Sequence, residues 1–144
     1  VCWRISLYVD GKGGELASDV RYKKICSGEG WMMIKEIGNE GKYQASVDAG
    51  GACISFLGSN PSGNGRKTLY HYAICRANPF IPIPLPKIFK AANAAEGLQK
   101  SKDRWGGNSE RGGSPRKAGS TSPPHKLKKI VDAVIKEEKI RTAQ

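Results

Sequence analysis

Alternating apolar and polar residues fill short stretches of the first half of the chain, and Gly-rich turns separate them. In residues 2–9, for example, Trp3, Ile5 and Leu7 alternate with polar or smaller side chains. A two-residue period of this kind is typical of a β-strand that buries one face. The same pattern predicts strands in five further segments: residues 16–26, 31–37, 42–48, 53–57 and 68–75.

Six short strands without a helical pattern indicate an all-β domain over residues 1–78. We predict a six-stranded antiparallel β-sandwich of two three-stranded sheets, stapled by disulfides. So small a core buries little apolar surface, and disulfides often compensate for this in secreted domains. The first residue is Val and no leader is visible, which favours a mature secreted form.

The composition changes after residue 78. Prolines at positions 79, 82, 84 and 86 predict an extended, Pro-rich linker over residues 79–99. Residues 100–124 are rich in Gly, Ser and charge, which is typical of disorder. Residues 125–144 predict a basic amphipathic helix that is nascent in isolation, and the chain therefore ends in a long, largely disordered basic tail. The apolar stripe of this helix consists of Leu127, Ile130, Val131, Val134 and Ile135.

Positive charge is concentrated in the second half of the chain. The formal net charge is +11. Nucleic acid, an anionic membrane or an acidic protein could each bind to this positive charge. The alternative is that the charge only keeps the tail solvated. Trp105 is the one tail aromatic available to stack on a base, and the terminal helix lacks aromatic membrane anchors. We therefore expect neither nucleic acid nor a membrane as the principal partner, and we expect a monomer.

The four cysteines allow three disulfide pairings, which arithmetic alone leaves open. Cys2 and Cys53 open predicted strands, whereas Cys26 and Cys75 close them. Pairing like with like gives Cys2–Cys53 and Cys26–Cys75, and a reduced, buried Cys53 is the alternative. Their spacing does not match a zinc site, and no base accompanies them that would suggest a catalytic thiol.

The stretches SLYVDGK and KYQASVDAGGACISFLGSN, together with the four cysteines, resemble the MAX effectors. This family comprises the Magnaporthe AVR and ToxB-like proteins that plant-pathogenic fungi secrete. The resemblance covers residues 1–76 and implies a two-sheet sandwich with the same two disulfide pairs. It also implies a secreted protein that acts by binding host proteins, such as heavy-metal-associated domains.

Enzyme chemistry finds little support in the sequence, and no cofactor is expected. His71 lies in a predicted strand and His125 in the tail, so no acid–base pair is suggested. The function that the resemblance implies is a secreted, non-enzymatic fungal virulence effector, which binds a host plant protein and is open to recognition by a plant immune receptor. It would act outside host cells or after translocation into the host plant cytoplasm. The alternative is a cationic secreted toxin, or a nucleic-acid-binding or membrane-binding protein that acts through the basic tail.

Two surfaces are candidates for binding a protein partner. The second predicted strand resembles a sheet edge, and an exposed edge can accept a strand from another protein. Its lysines would also discourage self-association. The third predicted strand offers Trp31 and Met33, although such residues are also typical of a core. The residues of the edge candidate are Val20, Arg21, Tyr22, Lys23 and Lys24.

Overall fold

The computed structural model describes residues 19–62, 65, 67–78 and 80–143. Within them, the strands are β1 (Tyr22–Gly28), β2 (Trp31–Glu36), β3 (Ala52–Pro61), β4 (Thr68–Arg76), β5 (Gly106–Gly107) and β6 (Arg111–Gly113). The helices are α1 (Gly41–Ala49), α2 (Leu85–Glu96) and α3 (Pro124–Ala143).

All six strands belong to one sheet, in the order β1-β2-β3-β4-β6-β5. β2 and β3 run parallel, and the other neighbouring pairs run antiparallel. Two parallel neighbours need a crossover connection, because the chain must return to the end of the sheet where it started. α1 provides this crossover and so allows β2 and β3 to run in the same direction.

Helices pack on both faces of this sheet. α1 packs on one face, against β1, β2 and β3. On the other face, α3 packs against β1, α2 packs against β5 and β6, and these two helices contact each other. The larger core lies on the α2–α3 side and draws on both halves of the chain. It includes Trp31, Met33, Ile54, Tyr72, Ile74, Leu85, Ile88, Phe89, Trp105, Leu127, Val131 and Ile135.

The predicted fold class is therefore wrong. The protein has a single mixed sheet with helices on both faces, not an all-β sandwich of two antiparallel sheets. The four predicted strands at residues 16–26, 31–37, 53–57 and 68–75 overlap β1 to β4. The strand predicted for residues 2–9 lies outside the described residues. The pattern of short strands could not reveal the helices that pack on the two faces of the sheet.

Residues 42–48 account for one part of this error, since they form α1 instead of a strand. Their period-two pattern consists of Tyr43, Ala45 and Val47, but only Ala45 is buried. Val47 is 73% exposed, and the buried neighbour of Ala45 is Ser46. Lys, Gln and Ala favour a helix in this segment, and the parallel β2–β3 pair requires one.

The segment predicted as a Pro-rich linker contains α2. Pro86 is compatible with this helix because it lies in the first turn, where backbone amides have no partner within the helix. The helix ends at Gly97, whose φ of 72° is left-handed. The buried side chains recur at helical spacing: Leu85, Ile88, Phe89, Ala92 and Asn93.

The prediction of a terminal helix is confirmed, but that of a disordered tail around it is wrong. Leu127, Val131, Val134 and Ile135 from the predicted stripe are buried in α3, and they contact the sheet. The helix is stabilised by tertiary packing, which is the usual source of helix stability in proteins. The second half of the chain is thus part of the same core as the first.

The predicted disulfide staples are not part of this structure. Cys26, Cys53 and Cys75 are free thiols, and Cys2 lies outside the described residues. Cys53 is directly opposite Cys75 in the β3–β4 pair, whereas Cys26 is opposite Met33 of β2. Burial raises the pKa of Cys53 to about 11, so this thiol stays protonated at neutral pH. It corresponds to the reduced, buried alternative.

Candidate functional site

The first surface predicted to bind a partner lies at one edge of the sheet. Tyr22, Lys23 and Lys24 begin β1, which pairs only with β2 among the described strands. Val20 and Arg21 immediately precede the strand, and both are exposed. The Arg21 guanidinium pairs with the Asp19 carboxylate at 2.6 Å. Its hydrogen bonds lower the pKa of Asp19 to about 2.

The second predicted surface is not a surface. Trp31 and Met33 belong to the larger core and have at most 1% of their area exposed. The indole N–H of Trp31 donates to Asp132 of α3 at 2.8 Å. Trp31 and Met33 thus pack in the core that joins α3 to the sheet, and they are not available to a partner.

A different surface brings small and cationic residues together. Residues of β6 alternate between the two faces, and a side chain at Gly112 would point into the Phe89 ring of α2. Arg111 and Gly113 therefore lie on the opposite face, next to Cys75 and Ala73 of β4. We call this surface the open face. Its residues are His71, Ala73, Cys75, Gly106, Arg111 and Gly113.

No described helix covers the open face, because α1 packs on the other end of the same side of the sheet, against β1 to β3. Arg111 and Gly106 are exposed, and His71, Ala73 and Cys75 are half-buried. A Cβ built at Gly106 would meet no atom of the described residues within 4 Å. The centre of the face is a floor of glycine and alanine, so a ligand could approach the backbone there.

Some glycines of this region are explained by packing alone. A side chain at Gly112 would collide with the Phe89 ring and with the Gly106 carbonyl, and one at Gly113 would collide with the Tyr72 carbonyl. Gly107 has a φ of 152°, which an L-residue rarely adopts. Gly106 has no such constraint, and packing does not explain why this position is a glycine.

Substituting Gly112 and Gly106 separately tests this distinction. Gly112→Ala should lower the free energy of unfolding by about 1–3 kcal/mol, because the methyl group overpacks the contact with Phe89. Gly106→Ala should change it by no more than about 0.5 kcal/mol. Urea denaturation followed by circular dichroism measures both, and equal losses would contradict the packing described here.

Two carboxylates hold the segment that borders the open face. Glu96 accepts hydrogen bonds from the Trp105 indole at 2.6 Å, the Ser120 hydroxyl at 2.9 Å and the Thr121 amide at 2.7 Å. Asp103 accepts from the amide of Ala118 at 2.8 Å, and such backbone hydrogen bonds lower its pKa. This segment, whose composition is typical of disorder, is thus held in place by two half-buried acceptors.

Trp105 is also part of this support. Its side chain is 1% exposed and stacks on Tyr72 with ring centroids 5.8 Å apart. The Asn93 side chain forms two hydrogen bonds with the Trp105 backbone: it accepts from the Trp105 amide at 2.8 Å and donates to the Trp105 carbonyl at 3.0 Å. The tail aromatic that could have stacked on a base is therefore a core residue.

The chain segment that carries β5 and β6 is rich in cations. Residues 100–117 contain six Lys or Arg residues and two acidic residues. Arg116 and Lys117 lie on the loop that reaches Gly119, and a Cβ at Gly119 would be 3.0 Å from the His71 ring. This loop therefore places its positive charge beside one end of the open face.

Sequence reasoning missed the open face because these residues resemble a disordered segment. The signal that could have found it was the clustering of Gly106, Gly107, Gly112 and Gly113 around an Asn, since Asn108 is typical of a hairpin turn. Asn108 does close this turn, and its side chain accepts from the amides of Glu110 and Arg111.

Other kinds of site find no support in the part of the chain that the structure describes. No group of three His, Cys, Asp or Glu residues there could hold a metal ion. No helix there is both long and apolar enough to cross a membrane.

Comparison with known proteins does not assign the chain to a family. No family model, curated protein sequence or solved structure matches it.

Proposed function

We propose that the protein binds a single-stranded nucleic acid across the open face. The observation that carries this proposal is one accessible sheet surface that combines a Gly–Ala floor with Arg111 and His71. The arginine and the histidine lie at opposite ends of this floor. Cys75 is opposite Arg111, and His71 is four residues from Cys75 along β4, which is about 13 Å at strand spacing.

The two side chains suit the chemistry of this ligand. An arginine guanidinium binds phosphate through two parallel N–H groups, and its plane can stack on a base. A histidine ring can stack on an unpaired base as well. The floor of Ala73, Gly106 and Gly113 lets the ligand approach closely, because these three residues between the two ends carry no long side chain.

The width of the surface favours a single strand over a duplex. The open face spans β4, β6 and β5, which corresponds to roughly 10 Å between the outer strands. Residues 100–117, which include β5 and β6, carry six cations and two acidic residues, one of which, Asp103, is already engaged by backbone amides. Phosphate binding with release of counterions supplies most of the affinity in such complexes.

The effector hypothesis, by contrast, drew its support from a resemblance to a two-sheet sandwich. The structure has a single mixed sheet instead, so the hypothesis of a host plant target stays a prediction without support from the fold. The alternative hypothesis, nucleic-acid binding by a basic tail, is retained with a different location, because the basic residues belong to a folded surface.

Fluorescence anisotropy with a labelled oligouridine of roughly 12 nucleotides tests the proposal. Arg111→Ala should weaken binding about five- to tenfold, the effect of losing one charge-assisted hydrogen bond at a wet surface. It should also reduce the slope of log K against log salt by about 0.7. Arg141→Ala is the matched control, since it removes the same charge from the last turn of α3.

Two outcomes would count against the proposal. The first is an equal loss in both variants, which would mean that binding follows net charge and not the open face. The second is tight binding that does not respond to salt. Gly106→Leu adds a steric test: packing leaves space for this side chain, so it should block the oligonucleotide while the free energy of unfolding stays near that of the unmodified protein.

A further inference from the structure

The opposite edge of the sheet has a separate set of features. β1 is the outermost strand there, and among the described residues only β2 pairs with it. Half of the backbone N–H and C=O groups of such a strand point away from the sheet. We call this row of groups, with its flanking side chains, the β1 edge.

We propose that the β1 edge binds an extended acidic segment of a partner protein, which adds to the sheet as a further strand. This surface is independent of the open face, which lies at the other end of the sheet. Strand addition of this kind obtains affinity from backbone hydrogen bonds and specificity from alternate side chains.

The charge of the β1 edge selects an acidic partner. Three nearby cations are already paired, through Arg21–Asp19, Lys139–Glu29 and Lys128–Asp132. Within the described residues, however, Lys23, Lys24 and Lys136 form no ion pair. In the same part of the chain, Glu36 and Asp48, beside Tyr22 at the start of the strand, have no ion pair either. The uncompensated positive charge is therefore concentrated further along, at Lys23, Lys24 and Lys136. Complementary charge steers association and excludes basic partners.

Apolar features set the pattern of the partner. The register of β1 on β2 shifts between Lys24 and Cys26, and Ile25 at this bulge is 38% exposed. At the Gly28 end of the strand, a groove of about 640 Å³ opens between the β1–β2 turn and α3, with Ile135 and Ile140 in its walls. A fitting segment alternates acidic and apolar residues and ends in an apolar side chain that enters this groove.

A synthetic peptide can probe the β1 edge of the full chain. The peptide has the length of β1, seven residues, alternates Glu with Val and ends in Leu. Its control has the same sequence with methyl groups on alternate backbone nitrogens, which keeps the charge and the side chains but removes donors that a strand needs. We expect the unmodified peptide to bind at least about tenfold more tightly than the methylated one, since several backbone hydrogen bonds are lost.

Charge reversal tests the proposed location. Lys23→Glu combined with Lys24→Glu should weaken peptide binding about tenfold, because two attractive contacts become repulsive. The matched control is Lys100→Glu combined with Lys102→Glu, which makes the same change in net charge before β5, at the far edge of the sheet. This control should leave the affinity for the peptide within about twofold.

Hydrogen exchange separates the remaining outcomes. Slower exchange of β1 amides on adding the peptide supports strand addition. Equal binding of both peptides, equal effects of both double variants, or no binding at all would overturn the proposal. So would β1 amides that are fully protected before peptide is added, because the edge would then be occupied by another part of this chain.

Discussion

Replacing Leu127 by Asp should unfold most of the protein at room temperature. Leu127 has no exposed area and lies in the larger core, between α3 and the sheet. An unpaired carboxylate there costs several kcal/mol, in addition to the lost apolar contacts, and a domain of this size has only about 5–15 kcal/mol of stability. Circular dichroism during urea denaturation should show no cooperative transition, or one at a much lower urea concentration.

The adjacent Lys126→Asp substitution is the control. Lys126 is exposed in the first turn of α3, where a negative charge interacts favourably with the helix dipole. It should change the free energy of unfolding by no more than about 1 kcal/mol. Similar behaviour of the two variants would mean that α3 is a solvated tail, as the composition first predicts.

Trp105→Ala should lower the free energy of unfolding by about 3–5 kcal/mol. The substitution removes the stacking on Tyr72 and leaves Glu96 without its indole donor. It also opens a cavity beneath the segment that carries the open face. Calorimetry or urea denaturation measures the loss, and nucleic-acid binding should weaken with it.

Trp105→Phe separates packing from hydrogen bonding at this position. The phenyl ring keeps the contact with Tyr72 but has no donor for Glu96, so the loss should be smaller, about 1–2 kcal/mol. A stability unchanged by Trp105→Ala would contradict a buried Trp105 and would return it to the role of an exposed base-stacking residue.

Sequence patterns located the central strands well. β2 and β4 match their predicted segments to within a residue at each end, and the apolar stripe of α3 was visible in the spacing of Leu127, Val131 and Val134. These elements could be predicted because their periodicity is local. The helical fate of Tyr43, Ala45 and Val47 could not, since a segment this short fits both periods and the parallel neighbours decide.

The second half of the chain was misread because its order depends on distant partners. Glu96 holds Ser120 and Thr121, and Asp103 holds Ala118. No local pattern marks such contacts, and a Gly-rich, charged composition without them is typical of disorder. The expectation of disulfides came from the same error, since residues 1–78 alone would have had too small a core.

The two surfaces differ in how far the sequence could predict them. Lys23 and Lys24 indicate an edge strand by local chemistry, and β1 does lie at an edge of the described sheet. The open face depends on register, because Arg111 meets Cys75 and Gly113 meets Ala73 only once β6 is paired. A single sequence does not determine the register between two strands so far apart in the chain.

Backbone amide shifts of the full, isotope-labelled chain, recorded while the same oligouridine is added, would locate nucleic-acid binding directly. The account predicts that the largest changes fall on Ala73, Gly106, Arg111 and Gly113, with β1 almost unaffected. Changes confined to the exposed lysines of α3, with none on these four amides, would contradict it.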